Sequence, residues 1–169
     1  TTGGVLGIAP ASARTFIAVV KLVDTTTRFQ AVMQGQSGTP GTYVNLDANT
    51  FQTSGSREGV YATNNGYDSQ VATSTSPTVH VYTLSTLSPG TPIIGSVDYR
   101  MNGVTATLTR TPGGLGNGNF EDFSLADFTL VGSDGPAVLA ETRIYDRALD
   151  LDERVQVEHA LESRYAITP

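Results

Sequence analysis

Along the first 145 residues, apolar positions either alternate with polar ones or run in short β-branched stretches, and turn residues break them at close spacing. That period-two pattern predicts strands rather than helices. Residues 15–22, "TFIAVVKL", are β-branched and aromatic and predict a central strand buried on both faces. "RFQAVMQG" from Arg28 sets Phe29, Ala31 and Met33 against Arg28, Gln30 and Gln34, as in a half-buried strand. Asp24-Thr25-Thr26-Thr27 between the two reads as a short hairpin loop. "GTYVNLDA", "EGVYAT", "TVHVYTLS" and "SVDYRMNG" each have the length of one strand. Asn102-Gly103 between two extended runs predicts a type I′ hairpin. Residues 111–119, "TPGGLGNGN", hold four glycines and predict a loop. "ADFTLVGS" and "AVLAETRIYD" supply two further strands. There is no internal repeat, coiled coil or interdomain linker, and the pattern predicts a single all-β domain, an antiparallel sandwich or barrel.

The last stretch differs in kind. Asp150 with Glu153 three positions on forms a capping-box pattern, and Leu149 stands where a hydrophobic staple packs. Val157, Leu161 and Tyr165 follow at i, i+4 and i+8, a single narrow apolar stripe. Arg154, Glu158 and Glu162 lie close to that stripe, while Gln156, Ser163 and Arg164 are placed for water. One such helix is expected to seal an edge or end of the β-domain.

Composition narrows the partners. Of the 169 residues, 38% are hydrophobic and only 15% charged, so the surface is largely Thr, Ser, Asn, Gln and Gly. A net charge of −6 without any basic run argues against nucleic acid and against docking to anionic lipid. No apolar run reaches the roughly 20 residues of a membrane-spanning helix. Cysteine is absent, which excludes disulfides, thiolate metal ligation and thiol catalysis.

The C-terminal pattern resembles the concanavalin A-like lectin/glucanase superfamily, specifically its laminin-G-like modules of bacterial and phage multidomain proteins. Ala140, Glu141, Ile144, Tyr145, Arg147, Leu149, Glu153, Arg154, Leu161, Tyr165 and Ile167 carry the likeness. "RTFIAVVKL" and "YRMNGV" resemble the family's early core strand and its Asn-Gly hairpin. The resemblance implies a jelly-roll sandwich of two antiparallel sheets with one short C-terminal helix. It departs from the family at Ala166, where such modules usually carry Gly, so the helix must end without a glycine cap. Such modules also begin with a strand that should precede Thr1. The expectation is that the first strand comes from an upstream chain fragment or another subunit.

Candidate chemistry divides into three. Glucanases of the superfamily need two carboxylates on one face of a strand, about 5–5.5 Å apart. This chain has no such run: "FEDF" at 120–123 offers adjacent acids, which face opposite ways in a strand. A catalytic pair is therefore not expected. His80 is expected to pack or face water in mid-strand, and His159 to sit on the helix near its stripe. Neither has a Gly-x-Ser-x-Gly motif beside it. The resemblance implies one Ca²⁺ at a loop rim, for which Asn117, Asn119, Glu121, Asp122 and Asp134 are the candidate oxygen ligands. Sugar binding on a sandwich wants an aromatic face flanked by amides and carboxylates. Tyr67, with Asn64, Asn65, Asp68 and Gln70, is the best such group, in a stretch that reads as a loop.

These observations together predict a non-catalytic recognition module. It would bind a glycan or protein on a cell or virion surface, as part of a larger extracellular or virion assembly. A structural virion component, such as a capsid decoration or tail-associated domain, is the alternative, and a glucanase-type hydrolase stands third.

Overall fold

The computed structural model describes residues 13–24, 30–36, 43–50, 57–62, 65–72, 74–85, 95–110, 127–130 and 137–168. The architecture is mostly antiparallel β-sheet closed by one C-terminal helix. The strands are β1 (Arg14–Leu22), β2 (Gln30–Gln36), β3 (Tyr43–Thr50), β4 (Arg57–Ala62), β5 (Asn65–Ala72) and β6 (Thr78–Leu84). After them come β7 (Val97–Met101), β8 (Val104–Ala106), β9 (Thr109–Arg110), β10 (Asp127–Leu130), β11 (Ala137–Tyr145) and the helix α1 (Leu151–Tyr165). One sheet has the order β11-β1-β6-β7-β8 and the other the order β10-β2-β3-β4-β5-β9.

Two expectations about connection and placement are corrected here. β1 and β2 belong to different sheets and do not pair as a hairpin, and residues 25–29 between them lie outside the described residues. The helix does not seal an edge. Leu161 and Ile167 pack with Ile17 and Val19 of β1 and Val79 and Val81 of β6, on one face of the five-stranded sheet. The other face of those strands is as fully buried, through Phe16, Ala18, Val20, His80, Tyr82 and Leu84. Burial on both faces explains why β1 and β6 read as near-continuous apolar runs instead of alternating ones.

Asn102 and Gly103 take φ of 45° and 78°, the left-handed pair that a type I′ turn requires. The turn is also tied to the next strand: Asn102 Oδ1 accepts from the Val79 amide at 2.7 Å, and the Asn102 amide donates to Val79 O at 3.0 Å.

The helix start follows the capping-box reading. Asp150 Oδ1 accepts from the Glu153 amide at 2.9 Å, and Glu153 Oε2 accepts from the Asp150 amide at 3.1 Å. Arg147 adds a two-pronged bond to the Glu153 carboxylate, at 2.6 Å on each oxygen. That guanidinium, with the Asp150 amide, pulls the Glu153 carboxyl down to about 2. Leu149 is buried, and its amide donates to Thr15 Oγ1 at 2.8 Å, which fixes where the chain leaves β11 and enters the helix. At the other end Ala166 adopts φ 52°, and Glu162 O accepts from the Ala166 and Ile167 amides. The left-handed cap is thus made without glycine, and Ile167 tucks into the core beside Leu161.

The docked face of α1 is more polar than its sequence suggests. Its buried residues are Arg154, Glu158, Leu161 and Glu162, at i, i+4, i+7 and i+8, while Val157 and Tyr165 are only partly buried. Glu158 Oε2 accepts from Arg100 Nε at 2.9 Å, with both side chains out of water. The same guanidinium donates to Thr105 Oγ1 at 2.8 Å and Gly103 O at 2.6 Å. The Gly103 amide donates in turn to Glu158 Oε1 at 3.3 Å. Arg154 bonds Asp98 Oδ2. The helix is therefore held by apolar contact along β1 and β6 and by ionic contact along β7 and the turn after it.

Removing one member of a buried pair strands the other charge, at a cost of about 3–5 kcal/mol. Arg100→Met should show a loss of that order in urea denaturation. The double variant Arg100→Met/Glu158→Leu should recover at least half of it, and a double variant as unstable as the single one would contradict this. At the helix end, an L-residue in the left-handed region costs about 1 kcal/mol relative to Gly. Ala166→Gly should raise the unfolding free energy by about that amount in the same assay, and a loss of stability would oppose it.

Candidate functional site

Two concavities flank the short strand β8. The larger, about 570 Å³, lies where β5 of the six-stranded sheet meets the β7–β8 hairpin of the other. Its wall is mainly apolar, from Val71, Met101, Val104 and Ala106, with Ser69 and Asn102 among the polar groups. The second, about 470 Å³, opens beside β7. It exists because β8 pairs only with Tyr99, Arg100 and Met101, so the first two residues of β7 run past its end. Thr83, Ser85, Ser96, Asp98 and Thr107 line this groove, a wall rich in hydroxyls. Asp98 is half exposed and is oriented by Arg154, whose own guanidinium is nearly buried. Thr105, Ala106 and Thr107 belong to both walls.

An apolar wall beside hydroxyl side chains and the Asp98 carboxylate has the polarity a sugar needs. Its CH patches pack on the former and its hydroxyls bond the latter. The carboxylate of Glu141, on β11, is by contrast bonded within the chain. It is held by Arg143 and Arg164 at 2.7 Å each and accepts from the Tyr165 hydroxyl at 3.0 Å. Those partners keep its carboxyl below the ordinary range, the Arg143 hydrogen bond contributing most.

The residues singled out in the sequence fare differently. Asn65, Tyr67, Asp68 and Gln70 do not sit in a loop: they belong to β5, with β4 on one side and β9 on the other. Tyr67 is registered with Val60 and Arg110, and Asp68 with Gly59 and Thr109. Gln70 lies past the irregularity in register that follows Asp68. Pairing with β4 holds Asn65-Gly66, a dipeptide that favours a turn, in the strand. Asn64, and the candidate calcium ligands Asn117, Asn119, Glu121, Asp122 and Asp134, lie outside the described residues. What the structure adds is the strand's position: through Ser69 and Val71, β5 walls the larger cavity. Sequence reading missed Met101, Val104 and Thr105 as cavity residues. The available signal was the Asn-Gly turn, which projects the ends of its two strands.

His80 is wholly buried and not available for chemistry in either opening. Thr78 Oγ1 lies 2.6 Å from Nε2 and also donates to Val20 O at 3.3 Å; Tyr99 Oη lies 2.9 Å from Nδ1. Tyr82 stacks on Tyr99 with centroids 4.8 Å apart, completing an aromatic block behind β7. Burial pushes the imidazole down to about 3.

No protein-family model matches this sequence, and comparison with curated protein sequences finds no match. Solved structures do resemble it. Domain 4 of AbnA, a GH43 extracellular arabinanase from Geobacillus stearothermophilus solved in complex with arabinotriose, has a TM-score of 0.56 at 17% identity. That likeness covers 90% of this chain and 69% of the other. A structure of botulinum neurotoxin type C, from work on cell entry through two ganglioside molecules, scores 0.53 at 10% identity over 93% of this chain. A Trypanosoma rangeli sialidase mutant displaying trans-sialidase activity scores 0.52 at 12% identity over 94%. This chain spans 37% of the neurotoxin chain and 24% of the sialidase. At these identities the likeness is one of fold.

The buried imidazole makes stability depend on pH. It stays neutral in the folded protein down to about 3, while in the unfolded chain it takes up a proton near 6.5. Its contribution is thus intact above about 6.5 and is lost progressively as pH falls toward 3. The slope from this one group is at most about 1.4 kcal/mol per pH unit. Denaturation from pH 7 to 4 should show a shallower decline for His80→Gln than for the wild type, and parallel declines would refute the assignment.

Proposed function

We propose that this chain is a non-catalytic glycan-recognition module with a concanavalin A-like sandwich fold, acting outside the cell. The reading rests on the pair of openings beside β8, one apolar and one lined by hydroxyls with an oriented carboxylate. The shared fold supports it, since AbnA domain 4 was solved with a bound arabino-oligosaccharide and the neurotoxin work concerns gangliosides. No helix among the described residues is long and apolar enough to cross a membrane. Strand β5 makes one wall of the larger opening, and its Tyr67 is assigned the role of stacking platform. Asn64, Asn65, Asp68 and Gln70 supply hydrogen bonds to sugar hydroxyls beside it. The same reading puts a calcium ion at the rim, on oxygens of Asn117, Asn119, Glu121, Asp122 and Asp134.

The test is titration calorimetry with arabinotriose, followed by a glycan array that includes sialylated oligosaccharides, each with calcium and with EDTA. The expected result is saturable binding weakened at least about tenfold by Tyr67→Ala, equivalent to roughly 1.4 kcal/mol, and weakened by EDTA. Binding indifferent to Tyr67→Ala would remove that residue from the site. Binding indifferent to EDTA would remove the ion. An array with no hit, together with co-sedimentation with virus particles, would replace this reading by the structural virion role.

A further inference from the structure

β11 forms one margin of the five-stranded sheet, and among the described residues no strand pairs with its outer side. A nine-residue strand at a margin offers a row of backbone donors and acceptors to another strand. Most proteins blunt such a margin, and β11 carries one interruption of its register. Val19 is registered with Glu141 and Val20 with Leu139, so Ala140 is an extra residue, a bulge. Beyond it, Glu141–Tyr145 runs in regular register against β1.

Within that regular stretch one side chain lacks a partner. Thr142 Oγ1 is buried and makes no hydrogen bond. A buried hydroxyl without a partner is destabilising and asks for an explanation. On the opposite face of the strand Glu141 and Arg143 stand on either side of Thr142 and bond each other at 2.7 Å, an acid and a base two positions apart whose outer atoms can also reach a neighbouring strand. A strand with that local sequence is complementary to itself. Antiparallel pairing of two copies about Thr142 sets Thr142 opposite Thr142 of the second copy. It also sets Glu141 opposite the second copy's Arg143 and Arg143 opposite its Glu141. Shifting the centre by one residue would face Arg143 with Arg143 or Glu141 with Glu141, so the charges select a single register. Cross-strand threonines and opposite charges are both stabilising pairs on an antiparallel ladder.

We propose that β11 is a homodimerisation strand, joining the five-stranded sheets of two copies of this chain antiparallel about Thr142. The contact is isologous, so it consumes both margins at once and closes at two copies instead of growing into a fibre. The bulge at Ala140 limits the ladder to the stretch around Thr142, consistent with a reversible dimer. α1 reaches the same place from one side: Arg164 and Tyr165 hold Glu141, which pre-orients the carboxylate for the second copy's Arg143. Two binding modules held in fixed relation would raise the avidity for a multivalent surface without any new contact to the ligand. The dimer itself does not depend on the glycan reading.

Sedimentation equilibrium of the full chain over a micromolar concentration range tests this. The wild type should be a monomer–dimer equilibrium. Glu141→Arg and Arg143→Glu, each placing like charges opposite one another, should each weaken self-association at least about tenfold. Mixed together the two variants should form a heterodimer. The reversed charge at position 141 of one copy then faces the reversed charge at position 143 of the other, with opposite sign, while the native Arg143–Glu141 contact survives. Circular dichroism melts confirm that each variant is folded, and Thr142→Val, which keeps shape and charge, should dimerise more weakly than wild type. A monomeric wild type, a dimer insensitive to either charge reversal, or folded variants that fail to associate on mixing would each overturn the proposal.

Discussion

The ion pair between Arg100 and Glu158 decides where the C-terminal helix lies, and much of the rest follows from it. A buried charge is tolerable only with a fixed partner and with its remaining donors satisfied. Arg100 meets that condition with three bonds, to Glu158, Thr105 and Gly103. These bonds span the helix, the Asn-Gly turn and strand β8, so the helix rests on a sheet face in one rotational setting. Apolar contact alone, through Leu161 and Ile167, would have tolerated several. With the helix on one face of β1 and β6, the aromatic block of His80, Tyr82 and Tyr99 occupies the other. The short β8 is held in place by the same guanidinium, and the two concavities exist on either side of it.

The fold was legible in the sequence where local pattern and final environment agree. β1 and β6 read as buried strands, Asn102-Gly103 as a hairpin turn, and Asp150 with Glu153 as a helix cap, because each signal is made of interactions within a few residues. The face of α1 was legible only in part. Val157, Leu161 and Tyr165 form the visible stripe, yet Arg154, Glu158 and Glu162 are more buried than Val157 or Tyr165. Arg154 and Glu158 find their partners on β7 and its turn. Nothing local distinguishes a glutamate that will meet Arg100 from one that faces water. β5 was missed for a related reason: Asn65-Gly66 favours a turn, and pairing with Ala62 and Tyr61 of β4 makes it extended. The pairing of β1 with β11 and β6 joins residues more than a hundred positions apart in one case, so the assignment of strands to sheets was not readable from neighbouring residues.

The candidate site was correspondingly less legible than the fold. Tyr67 and its polar neighbours were chosen as an exposed loop, and those that the structure describes turn out to be strand residues. The strand that carries them nonetheless borders the larger opening, through Ser69 and Val71. The second opening could not have been anticipated, since Thr83, Ser96, Asp98 and Thr107 come from separate segments and carry no signal singly. Fold similarity to an arabinanase domain, a neurotoxin and a sialidase is shared across very different chemistry, so function here has to be argued from these walls and their polarity.

Native-state hydrogen exchange tests the central claim, that buried charge makes the helix an integral part of the sheet. If the account is right, amides in the middle of α1, such as Leu161, exchange only with global unfolding, at the same free energy as those of β1 and β6. The Gly103 amide, which donates to Glu158, should be protected with them. Exchange of α1 by local opening, several kcal/mol below the sheet, with Gly103 unprotected, would contradict it.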